Sequence, residues 1–186
     1  MSKNWKYLSI ALLAVLALSL AYAAIEISGG YDVAADTPHG ALAFWLADTT
    51  RDNSVASRAR GIIIPSGFGS DAQVKEGASE YAEMCAQCHL APGMERTEIS
   101  QGLYPRAPEL AHDNDLPPAQ QFWIIKHGIK MSGMPAWGVT HNDAILWSIV
   151  AFLQKLPTLS PQHYRDMTKD AAEDHDAMGH MPGMER

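Results

Sequence analysis

The chain has 186 residues and a formal charge of −7, with 21 acidic side chains against 14 Lys and Arg. An isoelectric point near 5.5 argues against any nucleic-acid partner. Two cysteines cannot make a disulfide framework, and the length suits one ordinary domain with extensions.

The amino end carries Lys3 and Lys6, and from Tyr7 to Ile25 no charged side chain follows. At helical rise such a run spans about 28 Å, close to the hydrocarbon thickness of a bilayer. The positive-inside rule leaves the amino end in the cytoplasm and exports everything after Glu26. Ala21-Tyr22-Ala23 also fits the cleavage pattern of a secretory signal. The apolar run outlasts a usual signal core, which favours an uncleaved membrane anchor over residues 1–30. Either reading delivers the remainder to the periplasm, tethered in one case and soluble in the other.

Residues 31–70 read as an amphipathic helix and a linker. Thr37 suits an N-cap and Pro38 a first helical position, with Leu42, Trp45, Leu46 and Thr49 on one face. Gly61 is a natural stop. Ile62 to Pro65 is too short for more than an extended stretch, and Ser66-Gly67-Phe68-Gly69-Ser70 reads as a linker.

A compact domain is expected over residues 71–160. Asp71 would cap a helix running to about Ala86, on which Gly77, Tyr81 and Cys85 stack on one face. The helix leads into Cys85-Ala86-Gln87-Cys88-His89, the Cys-x-x-Cys-His attachment site of a c-type haem. Cys85 and Cys88 would form thioethers with the porphyrin, and His89 would bind the iron. A redox dithiol would want βαβ surroundings, and a zinc site a second cysteine pair. The chain offers neither, so one covalent haem c is expected.

A Pro- and Gly-rich loop follows, from Leu90 to Asp115. The next helix spans about Pro117 to His127 and closes at Gly128, and the loop 129–139 holds Met131 and Met134. Thr140 and Asp143 resemble a capping box opening a helix that Pro157 stops. With no strand-helix alternation, the chain is expected to be all-α.

From Asp71 to Leu156 these residues resemble the class I cytochromes c, small single-haem proteins with His/Met ligation. The resemblance implies a cytochrome c fold, three to four helices around a covalently bound haem, behind an N-terminal transmembrane helix. It implies that Gly77 and Tyr81 meet a C-terminal helix carrying Phe152. Pro108 would offer its carbonyl to the ring N–H of His89. Gly133-Met134-Pro135 matches the family's distal loop, making Met134 the sixth ligand. Met131, the rival, lacks the following proline. Haem would thus be held by Cys85, Cys88, His89 and Met134, and its iron by His89 and Met134.

Such a protein is a one-electron carrier between a membrane or periplasmic donor and an acceptor such as a terminal oxidase of a respiratory chain. No carboxylate pair or nucleophile–base set points to an enzyme. The alternative is a haem-bearing subunit of a multi-subunit dehydrogenase or oxidase. A haem-based sensor or a copper-handling protein is a third reading. Lys126 and Lys130 could rim a docking site or be ordinary solvated lysines. Arg106 and Trp123 are weak candidates for propionate contacts.

Residues 161–186 depart from the family as an acidic tail expected to be disordered. His163, His175 and His180, with Met178, Met181 and Met184 at three-residue intervals, would suit Cu(I). A tail that binds nothing specific is the favoured reading.

Overall fold

The computed structural model describes residues 3–169, and every regular element among them is helical. The chain divides into two units, residues 1–37 and residues 38 onward. In the first unit α1 (Lys3–Ile27) has 25 residues, about 37 Å at helical rise. It is long and apolar enough to cross a membrane, which is compatible with an anchor. Its two serines return their hydroxyls to the backbone, Ser9 to the Trp5 carbonyl and Ser19 to that of Val15, both at 2.9 Å. Both serine hydroxyls are thereby satisfied within the helix itself.

Seven helices of the second unit follow: α2 (Ala41–Ala59), α3 (Asp71–Met84), α4 (Ala86–His89), α5 (Glu98–Gly102), α6 (Pro118–His127), α7 (Asp143–Leu153) and α8 (Pro161–Met167). Two 3₁₀ turns, Trp137–Val139 and Leu156–Thr158, flank α7.

The core is the crossing of α3 and α7. A side chain on Gly77 would place its Cβ 1.9 Å from the Ser148 carbonyl oxygen, so only glycine lets the two backbones approach this closely. One turn on, Tyr81 and Phe152 pack at 5.3 Å between ring centres. Eight consecutive residues of α7, Leu146 to Leu153, are buried, because neighbours cover it on every side.

Several boundaries differ from those the sequence leads one to expect, each for a local reason. α2 begins at Ala41, not after Thr37, because the Thr37 hydroxyl donates to Asp32 at 2.9 Å and closes a turn there. α3 is capped by Ser70, whose Oγ accepts the Gln73 N–H, while the Gln73 side chain accepts from Gly69 at 2.8 Å. Asp71 is therefore the first helical residue. Asn142 caps α7, taking the N–H groups of Ala144 at 3.0 Å and Ile145 at 3.2 Å. The expected partner of Thr140, Asp143, is instead paired with Lys126 at 2.7 Å.

The body around the core is also larger than the span 71–160. α2 packs on α6, burying Val55 and Ala59. Phe68, in the expected linker, meets the Trp147 ring edge-on at 5.6 Å. Trp147 in turn stacks on Phe122 at 4.3 Å and 11°. At the other end, α8 draws residues 161–167 out of the segment expected to be disordered. Ser160 caps it, and Tyr164 is buried beside Phe152 at 6.3 Å. The remainder of that tail, with His175, Met178, His180, Met181 and Met184, lies outside the described residues, and with it both the favoured reading of a tail that binds nothing specific and the copper alternative.

Candidate haem site

The Cys-x-x-Cys-His segment sits where α3 ends. Cys85 closes α3 with its N–H on the Tyr81 carbonyl at 2.9 Å, and α4 then carries Ala86 to His89. One helical turn places Cys88 and His89 back over Cys85, since both donate their N–H to its carbonyl, at 3.1 and 2.9 Å. Leu90 follows in a left-handed conformation, φ +58. The buried Tyr81 hydroxyl donates to the Leu90 carbonyl at 2.5 Å and holds that strained exit in place.

Neither cysteine is in a disulfide. Cys85 is buried, and burial pushes its thiol up to about 12. Cys88 is half-buried.

His89 is oriented from outside its own helix. Its Nδ1 lies 2.9 Å from the Pro108 carbonyl oxygen. A carbonyl can only accept, so Nδ1 carries the proton and Nε2 is left with a free lone pair. Burial lowers the His89 pKa, and the Pro108 carbonyl opposes this more weakly. The ring is thus a neutral donor. Two thiols, and an imidazole with Nε2 free, are the donor set a covalently attached haem requires.

Met131 and Met134 differ sharply. Met131 is 99 % exposed and left-handed, φ +56, whereas Met134 is half-buried and packs on the hydrophobic core. The loop between α6 and α7 is folded back on itself to hold Met134. Ile129 donates its N–H to the Met134 carbonyl at 3.2 Å, and Met134 donates its own to Ser132 Oγ at 3.2 Å. Gly128, φ +63, makes the turn, since a Cβ there would come within 2.7 Å of the Met134 carbonyl oxygen. Gly133 acts through space rather than conformation: a Cβ would strike Leu103 at 2.5 Å.

The weaker candidates find other partners. Lys126 bridges to Asp143 and lies 5.5 Å over the Phe122 ring, so it ties α6 to α7. Arg106 pairs with Glu109. Trp123 packs on His127 at 4.9 Å. Gly128 is legible in the sequence as a helix stop, whereas the Ser132 and Leu103 contacts of the Met134 loop leave no local signal. Among the described residues no group of three or more His, Cys, Asp or Glu could hold a further metal ion.

Residues 72–153 match the family described as cytochrome C oxidase, cbb3-type, subunit III. Neither a curated protein nor a solved structure matches the chain. The domain of that family is a c-type cytochrome domain, which binds haem c covalently and transfers electrons.

Proposed function

Given that residues 72–153 are a c-type cytochrome domain, we propose that the chain carries single electrons from a membrane or periplasmic donor to an acceptor such as a terminal oxidase. One haem c would be held by thioethers to Cys85 and Cys88, with His89 and Met134 binding its iron. The haem domain faces the periplasm and α1 anchors it.

The observation that carries this reading is the half-buried His89 ring, hydrogen-bonded through Nδ1 to the Pro108 carbonyl at 2.9 Å so that Nε2 is left free. The bound haem iron supplies a one-electron ferric–ferrous couple. Everything else falls to the chain. Cys85 and Cys88 fix the porphyrin to α3 and α4. Pro108 keeps Nδ1 protonated, so Nε2 is the only nitrogen of His89 that can bind a metal. Met134 offers a soft thioether, which favours the ferrous state and raises the potential. With both His89 and Met134 bound to it, the iron would be suited to electron transfer.

The test is direct. Protein denatured on a gel should keep haem staining, and a potentiometric titration should follow a one-electron curve. Haem that extracts into acidified organic solvent would overturn covalent attachment.

The matched family's description favours a second reading, in which the chain is the haem-bearing subunit of an oxidase complex. Purification from membranes in mild detergent separates the two. A stoichiometric partner supports the subunit, and a lone cytochrome supports the free carrier.

A further inference from the structure

α2 changes character along its length. Its carboxyl half is seated on the domain by Val55 and Ala59, both buried. Its amino half, from Ala41 to Ala47, carries no charge. There Leu42, Trp45 and Leu46 are 69, 59 and 50 % exposed, and helical spacing puts the three on one face. The polar boundary comes next: Asp48 pairs with Arg51, and Arg51 with Asp52, each at 2.7 Å. A helix packed on a soluble domain ordinarily turns its apolar stripe inward and its polar face outward. The amino half of α2 does the reverse.

The chain itself names what covers this face. α1 ends at Ile27 and α2 begins at Ala41, so residues 28–40 alone join them. Fully extended, that connection reaches at most about 45 Å. With α1 across a bilayer, a lipid surface is always within reach of α2, whereas a soluble partner has to be recruited.

We propose that the amino half of α2 lies on the outer surface of the bilayer that α1 crosses. Leu42, Trp45 and Leu46 then sit at the boundary between headgroups and acyl chains. The proposal rests on the anchoring reading given above. The residue types suit that depth. Tryptophan concentrates at membrane interfaces, where its ring is buried and its N–H stays wet. Gly40 gives the first turn of α2 no side-chain cap. Its N–H groups need acceptors, which headgroups and their water supply and hydrocarbon does not. A second attachment also restricts how the domain can turn on its tether, and so which side it presents to a membrane-bound partner.

The test uses the full chain in native membranes, with a photoreactive benzoylphenylalanine replacing Leu46 in one variant and Ser57 in another. An unchanged haem spectrum certifies the fold of each. Irradiation should give lipid adducts at position 46 and lose them at position 57. Protein adducts at 46, no lipid adducts there, or equal labelling at both positions overturns the proposal while the chain stays anchored. A chain that begins at Ala24 in the soluble fraction overturns the anchoring reading, and this one with it.

Discussion

At the scale of single residues, the two methionines of the distal loop make the sharpest contrast. Met134 packs on the core and Met131 points into solvent. Met134→Ala should abolish the weak charge-transfer band of Met-ligated ferric haem and lower the midpoint potential. Met131→Ala should do neither. A reversed pattern moves the ligand to Met131, and no effect from either rejects His/Met ligation. Gly77 answers to a different measurement. A methyl there collides with the Ser148 backbone, which cannot rotate away as a side chain could. Gly77→Ala should cost about 3 kcal/mol in denaturant unfolding of the haem-loaded protein, by forcing α3 and α7 apart. A loss below about 1 kcal/mol would mean that the helices slide without penalty.

At the scale of elements, the ends of α7 and the position of α8 carry the predictions. Asn142 satisfies two N–H groups of α7, so Asn142→Ala should cost about 1 kcal/mol, and Thr140→Ala much less. Thermal unfolding of the two variants decides between those caps. α8 bears on where the folded body ends. Tyr164 is buried beside Phe152, so a stop after Ser160 removes an aromatic from the core and should cost about 3 kcal/mol. A stop after Lys169 keeps α8 and should leave stability and potential unchanged. Equal stability of the two truncations would show that α8 adds nothing.

What could be read from the sequence follows from how each signal is encoded. Cys85, Cys88 and His89 form a contiguous motif, so local spacing reveals them. Gly77, Tyr81 and Phe152 were legible only through the resemblance, because their meeting depends on a crossing between distant segments. The expected caps lie one to three residues from the observed ones, because Thr37, Ser70, Asp71, Thr140, Asn142 and Asp143 all have side chains able to cap. Tertiary partners choose among them: Asp32 engages Thr37, and Lys126 engages Asp143. Val55, Phe68 and Tyr164 lay outside the matched pattern, and nothing local marks them as core.

At the scale of the whole molecule, the decisive measurement is the mass of the mature chain. An intact α1 predicts residues 1–23 plus one haem, recovered with membranes. A mature amino terminus at Ala24 would make the protein a soluble periplasmic carrier and leave the haem domain as described. Because the second unit has its own core in α3 and α7, detergent extraction should not change its spectrum.

Gly77 and Ser148 lie seventy-one positions apart, yet their backbones touch, and the buried Cys85 caps the helix that carries Gly77. Closing so long a segment carries a loop-closure cost and slows folding. Once it has closed, Cys85 is shielded, and burial raises the pKa of its thiol. If Cys85 is a haem attachment point, the bond should form more readily while the clasp is still open. A chain that closes first would be trapped as a compact protein with an unreacted thiol at Cys85. Refolded without haem, it should show slow alkylation at Cys85 and faster alkylation at Cys88.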